Sequence, residues 1–242
     1  HLSLRRQRQM CIRDSSRIVR LGEGLGQTGV LNPDAMDRTV AALKICAGKI
    51  QRSGAQEVRA VATQACRQAA NGQVLLDRVS RETGLHLKTI TPQEEVQLGV
   101  ASTLPLLRRR WPYALIFDVG GGSTEVSVLK FKSGRGFRLS GSLSLPLGVV
   151  SLAEAHSQRG TDLTFEAYEA IRRQVAEGFS DFAQANQLPE RQRRGQVQTV
   201  GMSGSVTTIK ALDLGLKSYR RQAVDRTLFN LGLLPGIRDA LL

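Results

Sequence analysis

The chain has 242 residues, of which 41% are hydrophobic, and 34 Lys and Arg outnumber 21 Asp and Glu to give a net charge of +13. This length suits one large domain or two small ones, and no apolar run approaches the ~18 residues of a membrane helix. The charge favours a polyanionic partner such as polyphosphate, anionic lipid or nucleic acid, although aromatic residues, which stack on bases, are only 5% of the chain. The three cysteines are isolated, which predicts neither a metal site nor a disulfide framework and fits a reducing cytoplasm.

The beginning of the chain contains one segment that does not look structural. Residues 1–14 follow neither the helical nor the strand period, and we interpret them as a non-native leader outside the fold. Residues 16–21 are expected to form a strand that leads into a glycine-rich loop. A helix is then predicted from the start signal Asn32-Pro33-Asp34 to Gly54. Its apolar residues recur every three or four positions, at Met36, Val40, Leu43, Ala47 and Ile50.

Two strand–helix units follow, and the first carries an arginine of interest. A strand is predicted at 58–61, and Thr63 is expected to cap a helix with Arg67 in its first turns. Ligands bind beyond the carboxyl ends of strands in α/β sheets, so Arg67 can clamp a phosphate there. A surface arginine explains this residue equally well. A helix that ends near Arg81 and a strand at 87–90 complete these units.

The segment Thr91-Pro92-Gln93-Glu94 has the spacing of a helix capping box. Glu94 therefore has a structural explanation, because its side chain can reach back to the Thr91 N–H. Glu95 does not have that task, and in the first turn after a strand it can point into a ligand crevice as a base or a water-positioning group. The helix dipole also favours an acid at this position without any function, so both interpretations stay open.

The stretch at 115–128 organises the chain. An apolar run ends at Asp118, a glycine turn follows, and a second apolar run begins after Glu125, which predicts a β-hairpin. Glycines in such a turn permit positive φ and close approach of a ligand, and successive N–H groups can form a concave anion site. Two carboxylates beside that site suit Mg²⁺. A structural hairpin with a solvated Asp and Glu is the alternative. The turn contains Gly120, Gly121, Gly122 and Ser123.

The basic segment 108–112 breaks the periodic pattern and is taken as the domain boundary. A third strand is predicted at 137–145, followed by a long helix capped by Thr164. Residues 187–195 are interpreted as a basic loop. At the end of the chain, 228–242 is expected to form a helix broken by its proline.

A second glycine turn follows a strand predicted at 197–200. Gly201, Ser203 and Gly204 would connect this strand to a helix at 206–214. The free N–H groups of a helix start make this junction a second candidate phosphate site.

Six segments in this order resemble the Ppx/GppA family, the exopolyphosphatases and guanosine pentaphosphate phosphohydrolases of the actin/Hsp70/sugar-kinase fold superfamily. They are SRIVRLGEGL at 16–25, VATQACRQAANG at 61–72, ITPQEEV at 90–96, IFDVGGGSTEV at 116–126, LPLGVVSL at 145–152 and VGMSGSVTT at 200–208. The resemblance implies a two-lobed, ribonuclease H-like α/β fold, with residues 15–110 as lobe I and 111–242 as lobe II. The family normally opens with a phosphate hairpin of the type D-x-G-[ST]-N-[ST], which is not found here. We therefore expect an incomplete first lobe and a second lobe truncated at its end.

The resemblance also implies roles for individual residues. Glu95 matches the glutamate that activates water, although the small residue that follows it in the family is Val96 here. Arg67 matches an arginine that contacts phosphate in the cleft. Asp118 and Glu125 match acids that bind Mg²⁺ directly or through water. Phosphate binding is implied for the two glycine turns, at Gly120, Gly121, Gly122, Ser123, Gly201, Ser203 and Gly204.

These roles imply an Mg²⁺-dependent exopolyphosphatase that removes the terminal phosphate of inorganic polyphosphate, with guanosine pentaphosphate as the alternative substrate. The basic composition favours polyphosphate. Without the first phosphate hairpin the chain is expected to be weakly active or inactive. Family members are often dimers, which keeps a homodimer open, and no membrane partner is expected.

Two rival functions are also considered. An ATP-dependent sugar or acetate kinase of the same superfamily would share the glycine turns, but ATQACR and ITPQEEV argue against it. A non-catalytic polyanion or nucleic-acid binder would account for the charge, although no recognised nucleic-acid motif supports it.

Overall fold

The computed structural model describes residues 17–132, 136–156 and 164–239. The predicted leader at 1–14 lies outside these residues. The first part of the chain surrounds a two-stranded parallel sheet, in which Ala60 lies opposite Leu87 and Ala62 opposite Thr89. Its elements are α1 (Leu25–Thr28), α2 (Pro33–Ser53), β1 (Ala60–Ala62), α3 (Gln64–Gln68), α4 (Gly72–Thr83), β2 (Leu87–Thr89) and α5 (Pro92–Thr103).

Helix α2 forms where the sequence predicts it. The Asn32 side chain accepts a hydrogen bond from the Asp34 N–H at 2.8 Å, and Pro33 needs no partner in the first turn. Gly54 ends the helix in the left-handed conformation. The apolar stripe of α2 packs against α4 in a core that includes Met36, Val40, Leu75 and Val79.

The second part of the chain is built on a four-stranded sheet with the order β5-β4-β3-β6. Strands β3 and β4 form the predicted antiparallel hairpin, β5 continues it, and β6 pairs in parallel with β3. The strands are β3 (Tyr113–Val119), β4 (Thr124–Phe131), β5 (Phe137–Leu145) and β6 (Val197–Met202). The helices are α6 (Val149–His156), α7 (Phe165–Ala185), α8 (Leu188–Arg193), α9 (Ser203–Asp213), α10 (Arg221–Val224) and α11 (Leu234–Asp239), with short 3₁₀ turns at Leu104–Leu106 and Leu231–Leu233.

Helix α5 connects the two parts and lies on the larger sheet. Its residues Val96 and Val100 are buried against Ala114, Ile116 and Leu129 of the β3–β4 hairpin. This packing holds the first turn of α5 over the end of the sheet where the hairpin turns. A second link joins the parts near α6, where the Glu154 Oε1 accepts a hydrogen bond from the Gly24 N–H at 2.9 Å.

Four predictions of secondary structure are wrong in detail. Residues 17–21 are not a strand, and Arg20 has a φ of 48° that strand geometry does not allow. The loop at 187–195 contains α8, which has no apolar period to reveal it. Strand β6 continues through Gly201, so α9 begins at Ser203 rather than at 206. Pro235 lies in the first turn of α11, where it starts the helix instead of breaking it.

Within the described ranges, no helix combines the length and the apolar character that are needed to cross a bilayer. The predicted mixed α/β class is confirmed by the two sheets and their covering helices.

Candidate functional site

Three carboxylates meet at the glycine end of the β3–β4 hairpin. The strand register places Asp118 directly opposite Glu125, on the face that α5 covers. Glu95, in the first turn of α5, faces both acids across a cavity of about 10 Å³. That volume is about the space that one water molecule needs. The arrangement therefore brings together the three acids that the sequence selected, around one small cavity whose other walls are largely apolar.

The protonation behaviour of the two strand acids follows from their surroundings. Burial raises the pKa of Asp118 and of Glu125, and the charge of Glu95 raises both further. The hydroxyl of Ser203 opposes the rise in the pKa of Asp118. At Glu125 the hydroxyls of Ser123 and Ser144 oppose it, and the Ser144 Oγ donates a hydrogen bond to Oε1 at 3.0 Å. A bound cation would relieve the repulsion between Glu95 and these two acids.

Glu95 is held by an ion pair with Arg67. The Arg67 Nη1 lies 2.8 Å from the Glu95 Oε2 and 2.7 Å from the carbonyl oxygen of Ile90, and its Nη2 donates to the Gln64 Oε1 at 3.0 Å. The side chains of Arg67 and Glu95 are only 16% and 21% exposed. Arg67 therefore lies beside Glu95, with its guanidinium bound to three protein oxygens. Its direct contact with phosphate stays a prediction.

The neighbouring Glu94 has the structural task that the sequence predicts. The Thr91 Oγ1 accepts from the Glu94 N–H at 3.1 Å, and the Glu94 Oε2 accepts from the Thr91 N–H at 2.9 Å. That backbone hydrogen bond, followed by the contact with Lys88, lowers the pKa of Glu94. Of the two adjacent glutamates, Glu94 thus caps the helix and Glu95 faces the cavity.

The glycine turn is fixed by hydrogen bonds to its carbonyl groups. The Gly120 and Gly121 oxygens accept from the first N–H groups of α6, at 3.0 Å from Val149 and 2.8 Å from Val150. The Gly120 N–H donates to the Ser123 oxygen at 2.9 Å, so it is not available to a ligand. The N–H groups of Gly121 and Gly122 meet no acceptor in the described part of the chain. These two N–H groups can bind an anion.

The turn does not need glycine for a left-handed backbone, because none of its three glycines has a positive φ. Their value lies in close approach. A Cβ on Gly122 would lie 3.5 Å from the Gln64 Cγ, and one on Gly121 would lie 3.4 Å from the Val150 Cγ2. Side chains at these positions would thus fill the space above the turn, between α3 and α6.

Gly148 packs closely against the backbone of the glycine turn, and we predict that its replacement destabilises the protein. A Cβ at this position would lie 2.3 Å from the carbonyl carbon and oxygen of Gly121. We expect Gly148→Ala to cost about 1–3 kcal/mol, as overpacking does, and to lower Tm by about 2–4 °C per kcal/mol. Thermal unfolding followed by circular dichroism measures this change. Gly26→Ala is the control, since no atom lies within 4 Å of its added Cβ, and an equal loss in both variants would contradict the prediction.

The second glycine junction lies next to Asp118. Strand β6 ends at Met202, and Ser203, with a φ of 78°, turns the chain directly into α9. The Ser205 Oγ donates to the Val119 oxygen at 3.2 Å, which fixes the helix start against the end of β3. The free N–H groups and positive dipole end of α9 therefore lie beside the acids.

The members of this junction differ in their surroundings. Gly201 lies within β6, where a Cβ would lie 2.6 Å from the Phe117 ring, so it has a packing explanation. Gly204 faces open space. Phosphate binding by Gly201, Ser203 and Gly204 stays a prediction.

Sequence reasoning missed two side chains of the site. Gln64 touches both Arg67 and the space above Gly122, and Ser144 bonds Glu125. Ser144 could have been found by pairing β4 with β5, because this pairing places Ser144 opposite Glu125. Nothing local distinguishes Gln64.

A profile of the Ppx/GppA phosphatase family matches residues 4–229 of the chain. The chain belongs to this family. Exopolyphosphatase 2 of Mycobacterium tuberculosis is 30% identical over 228 residues, which cover 91% of this chain and 66% of that protein. Guanosine-5'-triphosphate,3'-diphosphate pyrophosphatase of Photobacterium profundum is 30% identical over 223 residues, which cover 86% of this chain and 42% of that protein. The chain thus spans less than two thirds of the length of these relatives.

Solved structures of Ppx/GppA proteins share the fold. The Aquifex aeolicus family member superposes with a TM-score of 0.66 at 28% identity, over 95% of this chain and 69% of that one. An exopolyphosphatase from Cytophaga hutchinsonii superposes with a TM-score of 0.70 over 87% of this chain and 65% of that one, and at 22% identity it supports the fold alone. The predicted actin/Hsp70/sugar-kinase-like α/β fold is confirmed.

Proposed function

We propose that this Ppx/GppA chain is an exopolyphosphatase that hydrolyses the terminal phosphate of inorganic polyphosphate with Mg²⁺. The observation that carries the proposal is the meeting of Glu95, Asp118 and Glu125 around one small cavity, beside a turn with two N–H groups that meet no acceptor in the described residues. Phosphoryl transfer depends on positioning and on charge stabilisation more than on covalent chemistry by the protein. The arrangement supplies both.

Asp118, which is partly buried, and Glu125, which is buried, lie opposite each other on neighbouring strands. They suit Mg²⁺ because a cation would relieve the repulsion that helps to raise their pKa values. No group of three or more acidic, histidine or cysteine side chains in the described residues could hold a metal by itself. Mg²⁺ usually binds one or two carboxylates and completes its shell with waters and substrate phosphates, so our proposal needs only Asp118 and Glu125 as protein ligands. When bound, Mg²⁺ supplies positive charge to the phosphoryl oxygens.

The residues of the chain would then divide the reaction among them. The Gly121 and Gly122 N–H groups donate to oxygens of the terminal phosphoryl group and hold it at the turn. The Glu95 carboxylate orients a water for in-line attack and accepts its proton as the bond to phosphorus forms and the bond to the leaving phosphate oxygen breaks. Arg67 keeps that carboxylate in place through the contact at 2.8 Å.

Two substrates compete within this proposal. The relatives carry the names exopolyphosphatase and guanosine-5'-triphosphate,3'-diphosphate pyrophosphatase at the same 30% identity. The net charge of +13 favours the longer polyanion. The free thiols of Cys46 and Cys66 are consistent with action in the cytoplasm.

Initial rates of phosphate release with Mg²⁺ test the proposal. We expect release from long-chain polyphosphate at a higher kcat/KM than from guanosine pentaphosphate. The reverse order would make the chain a guanosine pentaphosphate phosphohydrolase. If the chain binds polyphosphate but releases phosphate from neither substrate, we would conclude that it is a polyanion-binding protein and not an enzyme.

Arg67→Gln is expected to lower kcat by about 10–10²-fold, because a displaced catalytic group loses about that much. KM should change little if Arg67 acts by positioning Glu95. A rise in KM with kcat unchanged would instead assign Arg67 to phosphate binding. Arg78→Gln is the matched control, since Arg78 pairs with Asp37 and Glu82 away from the cleft. Steady-state kinetics on polyphosphate provides both parameters.

A further inference from the structure

A strongly basic surface lies at the end of the four-stranded sheet opposite the glycine turn. The segments that meet there carry nine Lys and Arg and a single acid, Glu190. Glu190 pairs with Arg193 and Arg194 of its own segment. Such a concentration of one charge attracts a polyanion. The segments are 108–113, 130–132, 136–138 and 187–196.

Part of this charge forms a row across the sheet. Tyr113 of β3 lies opposite Lys130 of β4, and Lys130 lies opposite Arg138 of β5, so the three side chains share one face. The Arg191 guanidinium of α8 covers the Tyr113 ring at 3.9 Å from its centroid. Arg191, Lys130 and Arg138 therefore follow one another across neighbouring elements. We name these three residues the distal basic row.

Without a bound anion, the like charges of the distal basic row reduce the stability of the sheet. Like charges directly opposite each other on neighbouring strands destabilise a sheet, and Lys130 and Arg138 are such a pair. Within the described residues, the Nη1 of Arg191 is buried and has no hydrogen-bond partner. Its Nη2 has only a 3.5 Å contact with the Gln187 Oε1. Lys130 and Arg138 are exposed, so an anion can reach this pair and offset the repulsion between its two charges.

The aromatic residues of this surface indicate which polyanion it suits. Arg191 lies over the ring of Tyr113, and Arg110 lies over the ring of Trp111 at 3.7 Å from its centroid. Since these arginines cover the ring faces, bases cannot stack on the same faces in the way that single-stranded nucleic acid requires. The surface presents cations instead of rings. A phosphate chain without bases matches it better than a nucleic acid does.

The backbone beneath the surface is held in place. Gln198 of β6 accepts from the Arg108 N–H at 2.9 Å and donates to the Arg108 oxygen at 2.7 Å. The Tyr113 N–H donates to the Gln196 oxygen at 3.1 Å, and the Phe131 N–H donates to the Pro112 oxygen at 2.9 Å. A surface that is ordered before binding loses less entropy when a ligand arrives.

We propose that the distal basic row binds the remote part of a long polyphosphate chain whose end is hydrolysed at the glycine turn. This rests on the proposed function. The row is in register with Tyr113, and Asp118 lies five residues further along β3, which at ~3.3 Å per residue separates them by roughly 17 Å. Only a long chain reaches both places, so the row would give the enzyme a preference for chain length.

The test removes two exposed cations and compares two substrates. In Lys130→Gln/Arg138→Gln we expect KM for long-chain polyphosphate to rise about tenfold, while kcat and the kinetics on tripolyphosphate stay unchanged. The matched control is Arg52→Gln/Arg59→Gln, which removes the same charge from exposed positions near the smaller sheet. An unchanged KM for the long chain, or an equal rise for tripolyphosphate or in the control variant, would overturn the proposal.

A binding measurement separates this proposal from the proposed function. Fluorescence anisotropy of labelled long-chain polyphosphate should show about tenfold weaker binding to Lys130→Gln/Arg138→Gln than to the wild-type chain. If binding weakens in this variant but the wild-type chain hydrolyses no substrate, the distal basic row is supported and the proposed enzymatic function is refuted. If the wild-type chain hydrolyses polyphosphate but binding does not weaken in the variant, only the proposal for the distal basic row is refuted. Tighter binding of a single-stranded DNA of equal charge, lost in the same variant, would assign the row to nucleic acid and overturn the proposal.

Discussion

Glu95→Gln is expected to lower the rate of phosphate release from long-chain polyphosphate by about 10²–10⁴-fold, the range that general bases contribute. The amide keeps the shape of the side chain and an oxygen for Arg67, but it cannot accept a proton from water. Binding of polyphosphate should therefore persist while kcat falls. Steady-state rates with Mg²⁺ and a parallel binding measurement provide the comparison.

The adjacent glutamate provides the control for this experiment. Glu94→Gln removes the same charge one residue earlier on α5, and glutamine can keep the hydrogen bond that caps the helix. We expect its kcat to stay within about twofold of the wild-type value, which in free energy is the ±0.5 kcal/mol of an ordinary surface change. If the two variants lost activity equally, the result would indicate a general effect of negative charge near the helix start. It would contradict the role of Glu95 as the general base.

The double substitution Asp118→Asn/Glu125→Gln is expected to abolish Mg²⁺-dependent phosphate release and, at the same time, to stabilise the metal-free protein. Both carboxyl groups have pKa values above their ordinary range, first because of burial and then because of the charge on Glu95. A raised pKa means that the folded chain binds the proton more tightly than the unfolded chain does. The stability that these groups contribute is therefore present at low pH and is lost as the pH rises through their raised pKa values.

Thermal unfolding in EDTA and in Mg²⁺ measures this effect. At about pH 8 in EDTA the variant should have the higher Tm, by about 2–4 °C for each kcal/mol of repulsion removed, and the difference should narrow as the pH falls. Mg²⁺ should raise the Tm of the wild-type chain and leave the variant unchanged. Asp77→Asn, on the exposed face of α4, is the control and should not change Tm appreciably. A variant that is less stable than the wild-type chain in EDTA would contradict the assignment.

The parts of the site that could be predicted from the sequence are those with local causes. The hairpin follows from two apolar runs on either side of the glycines, and its register places Asp118 opposite Glu125 without any tertiary information. The capping box assigns Glu94 to the helix start and so leaves Glu95 free for the cleft. Each of these inferences uses residues that are close in the chain.

The remaining features depend on contacts between distant segments. Arg67 and Glu95 are 28 positions apart, and their pairing needs α3 and α5 to come together beside the end of β2. The placement of α5 on the larger sheet depends on the burial of Val96 against the hairpin, which no local pattern encodes. Helix α8 escaped prediction because its polar sequence has no apolar stripe. The distal basic row becomes visible only once three strands are in register.

Hydrolysis of long-chain polyphosphate in water enriched with ¹⁸O tests most directly whether Glu95 directs a water onto the terminal phosphoryl group. The released phosphate is collected from the wild-type chain with Mg²⁺ and its mass is measured. We predict that each released phosphate carries one solvent oxygen, and that Glu95→Gln slows the appearance of this label without changing its number. Released phosphate that carries no solvent oxygen would contradict attack by water on the terminal phosphoryl group.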